Sequence, residues 1–484
     1  MESISDKSYF GKTILFVVLS IAVFMVFKNV LPKRLFPEKV MASENIVVDS
    51  LMLNAMNDTT AIVATDTKVP VAGADSTEVK DVEEVDDSFN PSLNADGYQN
   101  LSRFYEKLRS LEQTKSGKVR IAYFGDSMND GDFIVQDVRS TLQENYGGEG
   151  VGFVGVSSLS AGSRGSVSHQ YSKNWYSQSF VKVKKPVRPF GIDGQVFFAK
   201  NPAQTYWVRY RAQSQPHSTS LNKPTLFYGS ARNANGYVTV KADKDSIVSK
   251  TLKPSSLLNT LALTSRDVKS LQVDFHKADS IPIYGFNFDS GSGVHVDNFS
   301  MRGNSGLPLS ILSTSLMNAF DRVLNYDLII LHYGANVLGY GSTKYGWYEK
   351  SMTTVVKNLQ QCFPNADILV ISTADKSSKI DEVMQTDPAV VPLMSSQKRY
   401  ARQTRSGFIS LYEVMGGKGS MVKWVNDGLA SKDYTHFNAS GSKKIARLIY
   451  GEINKGYVKY KQNNTLSDNI QSIHTNDEKE GDSI

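Results

Sequence analysis

Two short runs of residues restrict the architecture of this chain more than anything else in it: YDLIIL at 326–331 and ADILVIST at 366–373. Each is apolar at nearly every position and is flanked by stretches of helical periodicity. Strands buried on both faces in this way belong to parallel sheets covered by helices. A third run, KVRIAYF at 118–124, has the same character. Before it, Leu101, Phe104, Tyr105, Leu108 and Leu111 fall at helical spacing. After it, Phe133, Ile134, Val138 and Leu142 do the same, up to a stop at Gly147-Gly148. An α/β fold is therefore expected over 97–160 and again over 300–456, with a last helix from about 440 to 453.

Between these pieces, over 161–299, the pattern changes to short runs rich in Val, Tyr, Phe and Thr, broken by Gly, Asn, Ser and Pro. That alternation predicts an inserted antiparallel β-sandwich. Residues 13–27 are apolar except for Thr13 and Ser20, with Lys12 and Lys28 at the ends. The run reaches the roughly 20 residues of a membrane span only if it extends over about 9–31, with the lysines reaching to the interface. No small-x-small cleavage site follows it, so 1–40 is read as an uncleaved transmembrane anchor rather than a signal peptide. Residues 41–96 read as a disordered acidic tether, with seven acids and only Lys80 opposing them between Ala74 and Asp87. The segment 457–484 reads as a disordered tail.

The net charge of +6 invites a nucleic-acid partner, but the excess is spread thinly over the chain. The densest basic stretch, Lys182, Lys184, Lys185 and Arg188, is interleaved with valines and reads as the solvated face of a strand. No nucleic acid is expected. The lone Cys362 excludes an internal disulfide or a multi-cysteine zinc site, and reads as a small buried hydrophobe.

Chemistry concentrates in four places. IAYFGDSMNDGD at 121–132 ends a buried strand on Gly125-Asp126-Ser127 and leads into a helix. This exposes the Ser127 hydroxyl at the carboxyl end of the sheet, where open α/β folds place their sites. SKDYTHFNAS at 431–440 sets Asp433 three residues before His436, ahead of the final helix. A neutral imidazole can take the serine proton while a carboxylate on its other nitrogen fixes the tautomer. Tyr333-Gly334-Ala335-Asn336 follows the strand at 326–331, and VDNFSMRGNSG at 296–306 carries glycines that let a backbone N–H approach a substrate. Asn336 and that backbone are candidates for an oxyanion hole. Gly-Asp-Ser-x-Asn-Asp also resembles the last motif of haloacid-dehalogenase-type phosphatases. The upstream Asp-x-Asp strand which that chemistry needs is missing here.

Taken in chain order, as serine, glycine, asparagine and Asp-x-x-His, the four places resemble the SGNH (GDSL) hydrolase family, over roughly 97–159 and 300–455. The resemblance implies a flavodoxin-like, three-layer parallel sheet. It implies Ser127 as nucleophile with His436 and Asp433 completing the triad, and the Ser127 N–H, Gly303 and Asn336 as oxyanion donors. The third block departs from the common Gly-x-Asn-Asp, reading Gly-Ala-Asn-Val. MGGKGSMVKW at 415–424 is similar to a stretch found before Asp-x-x-His in an envelope-associated subgroup. An inserted sandwich is similar to that of bacterial peptidoglycan O-acetylesterases and O-acetyltransferases, where it resembles a carbohydrate-binding module. The implied activity is that of a serine esterase on O-acetyl groups of a cell-envelope polysaccharide or peptidoglycan. An O-acetyltransferase served by a membrane-bound acyltransferase, and a non-catalytic glycan-binding protein, are the alternatives. No metal or cofactor is implied. Trp175 and Trp207, beside Tyr176 and Tyr206, are candidates to stack on sugar, although such spacing serves a sandwich core equally well. A location outside the cytoplasmic membrane is implied by the substrate class, against the positive-inside rule, since Lys28, Lys33, Arg34 and Lys39 outnumber Lys7 and Lys12.

Overall fold

The structure is a computed structural model that describes Leu15, Val18, Leu19, Leu51, Met52, 97–339 and 343–481, with side chains to 464. The chain divides into two units, Met1–Ile46 and Val47–Ile484. In the first, Leu15, Val18 and Leu19 are helical and exposed. The rest of the expected anchor lies outside the described residues, as does most of the expected tether. No helix among the described residues is long and apolar enough to cross a membrane. One point of the tether segment is packed: Met52 is buried in the core of the second unit.

Five parallel strands form the central sheet, in the order Gly293–Asn298, Lys118–Gly125, Leu328–His332, Asp367–Ile371 and Gly407–Ile409. Numbered along the chain this order is 2-1-3-4-5, the flavodoxin-like arrangement. Side chains alternate between its two faces. Ala122, Phe124, Ile329 and Leu331 pack against helices Thr314–Leu324, Gly346–Cys362 and Val390–Gln403. Ile121, Tyr123, Leu328 and Ile330 pack against Ser102–Thr114, Phe133–Tyr146 and the last helix. Three layers result, with an apolar core on each face. Cys362 sits buried in the first of these cores.

The inserted domain has two antiparallel sheets, of six and five strands, closed over a core that includes Val208, Tyr210, Val273 and Phe286. Its limits differ from those read in the sequence. Gly152–Val154, assigned above to the hydrolase, pairs with the sandwich strand Ile283–Phe288. Gly293–Asn298, assigned to the sandwich, is a parallel strand of the central sheet. The basic stretch around Lys182 lies in turns rather than on a strand.

Aromatic packing and a buried polar cluster fix the sandwich to the hydrolase. Phe227 stacks on Phe320 at 5.8 Å between centroids, and Tyr284 meets the same ring edge-on. Beside them, the fully buried Arg120 donates to Asp297 at 2.7 and 2.9 Å and also to Asp289 and Asn287. Asp297 accepts in turn from Tyr326 Oη and from the Phe153 N–H. Burial opposes the charge on Asp289, but Arg120, His295 and Lys118 outweigh it and hold the carboxyl well below its usual range.

The last helix runs over Ala439–Gly481, well past the stop expected near 453. Its apolar stripe continues beyond Ile453: Tyr457 is buried against Tyr105, and its hydroxyl donates to Glu112 at 2.7 Å. Tyr460 donates to Glu106 at 2.6 Å. These contacts, invisible in a polar sequence window, carry the helix onward.

Candidate active site

Ser127 follows the first strand, Asn336 the third, and Gly303 the second, which is the first strand's other neighbour. The first and third strands flank the point where strand order reverses, so the site opens at the topological switch point of the sheet. Two glycines let the backbones close up there. A Cβ on Gly125 would stand 2.6 Å from Asn129 Nδ2 and 2.8 Å from Ser300 Oγ. Gly334 has φ 150°, and a Cβ on it would stand 2.5 Å from Thr373 Cβ.

Asp126, buried behind the nucleophile, joins two of these turns. Its carboxylate accepts from the Met128 N–H at 2.9 Å and from the N–H groups of Gly334 and Ala335. Burial pushes its carboxyl up to about 6, against those hydrogen bonds and the nearby His436. The Ser127 turn and the Asn336 turn are thus held by one side chain.

The loop bearing His436 is closed on itself. Ala430 bridges Phe437, the Ser431 N–H donates to the His436 carbonyl at 2.8 Å, and Trp424 packs against Phe437. Trp424 belongs to the 415–424 stretch, and its indole donates to the Met415 carbonyl at 3.2 Å. That stretch buttresses the loop from behind.

Ser127, His436 and Asp433 meet across 309 residues of chain. Ser127 Oγ lies 3.2 Å from His436 Nε2, and His436 Nδ1 lies 2.7 Å from Asp433 Oδ2. The other Asp433 oxygen accepts the N–H groups of Thr435 and His436, both at 3.0 Å. The imidazole and the carboxylate are 44% and 50% exposed, so water reaches the pair. Burial raises the Asp433 carboxyl, but the hydrogen bonds from His436 and the backbone outweigh it and hold it at about 2. The hydrogen bond to Asp433 raises the His436 pKa; partial burial and Arg302 oppose this, while the charges of Asp433 and Asp126 add to it. With Nδ1–H committed to Asp433, Nε2 is left as the acceptor facing Ser127.

Asn336 Nδ2 donates to the Asn304 carbonyl at 3.2 Å, which ties its turn to the loop holding Gly303. Gly303 is buried with φ 74°. The residue before it, Arg302, donates to Asp130 at 2.8 Å and to Ser160 at 3.2 Å, and Ser160 also donates to Asp130. This ion pair joins the loop after the second strand to the helical turn after Ser127. It was not foreseen in the sequence, where only the Asn-Asp after Gly-Asp-Ser-Met gave any sign of it.

Trp175 and Trp207 stand apart from this group. Trp175 packs edge-on against Tyr206 and Phe275, and its indole reaches the Trp207 carbonyl at 3.4 Å. Trp207 lies on the strand Tyr206–Ala212 of the five-stranded sheet, with Arg209 over its ring. Neither lines the cleft walled by Asp130 and Arg302. Among the described residues, no group of three His, Cys, Asp or Glu side chains is placed to hold a metal ion.

No family model and no curated protein matches the chain. Among solved structures, a peptidoglycan O-acetylesterase superimposes with a TM-score of 0.62 at 23% identity, covering 75% of this chain and 98% of that one. A family two carbohydrate esterase from Cellvibrio japonicus covers 60% of this chain and 99% of its own at 12% identity, with a TM-score of only 0.25. An acetyl xylan esterase covers 33% and 81% at 19% identity, with a TM-score of 0.26. The first likeness establishes a shared fold; the other two are too weak to add to it.

Proposed function

We propose that the chain is a serine esterase that removes O-acetyl groups from a cell-envelope polysaccharide or peptidoglycan. The observation that carries this reading is the continuous path from Ser127 through His436 to Asp433 at the switch point of the sheet. The fold shared with a peptidoglycan O-acetylesterase supports it.

In the first step Ser127 Oγ attacks the ester carbonyl carbon and its proton passes to His436 Nε2. Asp433, ionised throughout the working range, stabilises the imidazolium. The oxyanion is met by the Ser127 and Gly303 N–H groups and the Asn336 amide. Collapse of the intermediate expels the sugar oxygen, which takes the proton from His436 and leaves acetyl-Ser127. A water molecule then attacks the acetyl carbon and gives its proton to His436. Acetate leaves, and the proton returns to Ser127 Oγ. The half-exposed imidazole is open to that water. We place the domain outside the cytoplasmic membrane, tethered through 1–40; activity of an alkaline phosphatase fused to the C-terminus would report that location.

The test is turnover of p-nitrophenyl acetate and of O-acetylated glycans by the protein and its Ser127→Ala variant, with labelling by a fluorophosphonate. Free acetate as the product, and loss of both turnover and labelling in the variant, is the expected result. Acetylated oligosaccharide formed from an acetyl donor would assign the transferase reaction instead. Labelling unchanged in Ser127→Ala would remove the catalytic assignment.

A further inference from the structure

A cleft of about 220 Å³ runs between the sandwich and the hydrolase, and Arg302 and Asp130 form its hydrolase wall. Ser300, Met301 and Arg302 of that wall immediately precede Gly303, so the cleft opens beside the loop that bears the oxyanion candidate. The opposite wall comes from the inserted domain and includes Lys182, from the basic stretch that the esterase reading leaves unused.

The lining is chemically selective. Ser157, Ser158, Ser177 and Ser179 offer donors and acceptors suited to sugar hydroxyls. Leu159, 86% exposed at the same cleft, offers an apolar patch for the C–H face of a ring. The charges do not balance: Lys182 and Arg302 face one carboxylate, Asp130, which already accepts from Arg302 and Ser160. Lys182 is exposed and has no ion pair among the described residues. Lys185 and Arg188 continue the positive charge along the same loop, both exposed. A cleft with an excess of one sign of charge raises the local concentration of ligands of the opposite sign.

We propose that this cleft selects a glycan carrying a carboxylate close to the acetylated sugar, with Lys182 as the specificity-determining residue. The proposal rests on the esterase reading and names the substrate class for that site. The carboxylate can belong to a uronic acid of the chain or to the peptide carried on the lactyl group of peptidoglycan; both present a negative charge to Lys182.

The experiment compares full-length protein with Lys182→Glu, and with Lys241→Glu as a charge-matched control on an exposed position of the sandwich. Four esters are used: p-nitrophenyl acetate, acetylated xylan without uronic acid, an acetylated polyuronate and O-acetylated peptidoglycan. Lys182→Glu is expected to leave kcat on p-nitrophenyl acetate and KM on neutral xylan unchanged. It should raise KM about fivefold or more on a carboxylate-bearing substrate, since it replaces an exposed attraction with a repulsion. The wild-type preference should shrink on raising NaCl from about 0.05 to about 0.5 M. Whichever anionic substrate shows the Lys182 dependence identifies the source of the carboxylate. Equal KM values for both anionic substrates in Lys182→Glu and wild type, or an equal rise in Lys241→Glu, would overturn the proposal and leave the esterase reading standing. Failure of the wild type on p-nitrophenyl acetate itself would overturn that reading, and this inference with it.

Discussion

Replacing Asp433 with Asn isolates the part of the triad that acts only by orienting a proton. The asparagine carbonyl can keep the place of Oδ1 and accept the Thr435 and His436 N–H groups now held at 3.0 Å. Its amide nitrogen then faces His436 Nδ1, where Oδ2 stood at 2.7 Å. Facing a donor, Nδ1 becomes an acceptor and the ring proton moves to Nε2, the atom that must receive the Ser127 proton. A buried triad disrupted in this way loses about 10⁴ in kcat. Here the pair is half exposed, so water competes for Nδ1 and part of the imidazole keeps the productive tautomer. The expected loss in kcat/KM is therefore smaller, about 10²–10³. The pH profile adds an independent sign. The wild type needs neutral His436, whose pKa the Asp433 hydrogen bond raises, so kcat/KM climbs with pH through a value above the ordinary histidine range. Removing that cause moves the inflection to lower pH. Initial rates on p-nitrophenyl acetate from about pH 5 to 9 measure both quantities. A loss below about tenfold together with an unmoved inflection would refute the role assigned to Asp433.

The oxyanion donor is tested by Asn336→Ala, which should lower kcat by about 10²–10³ with little change in KM; a change confined to KM would show that Asn336 only binds substrate. Arg120→Met leaves Asp297 buried without its cation and Asp289 with Lys118 alone, and should cost about 3–5 kcal/mol at neutral pH by urea unfolding. In the wild type the depressed Asp289 pKa contributes stability above the unfolded carboxylate range, lost only as pH falls through the lower folded value. In the variant burial is opposed at Asp289 only by Lys118, His295 and Asn287, so the deficit should shrink as pH falls toward about 4; a deficit that is the same at both pH values would contradict the account. Asp126→Asn keeps an acceptor for the three N–H groups and removes a buried charge. The raised Asp126 pKa of about 6 destabilises the fold as pH rises from the unfolded range through that value, so the variant should gain stability relative to wild type at pH 7 but not at pH 4. The same substitution withdraws a charge that raises the His436 pKa, so its activity profile should move to lower pH; an unmoved profile would count against the electrostatic link.

The legible part of the site is the part whose geometry is local. Asp433 and His436 are three residues apart on one loop, and Ser127 ends an apolar strand, so short windows display both. Other elements were read wrongly, or missed, for one shared reason. GVHVDN at 293–298 has the alternation of a sandwich strand, and only its parallel register with residues 118–123 makes it part of the central sheet. KVKKPVR around Lys182 looks like a strand face because its valines alternate, yet the chain turns there to wall a cleft. The polar segment after 453 hides Tyr457, whose burial depends on Tyr105.

Local periodicity and turn chemistry were enough to announce a helix-covered sheet with a serine at its rim and an Asp-x-x-His loop near the end of the chain. Partners 172 residues apart, such as Asp130 and Arg302, and the buried cluster around Arg120, arise only when separate strands are brought into register. A charge becomes a clamp or a selector through what stands opposite it, and that neighbour is chosen by tertiary packing.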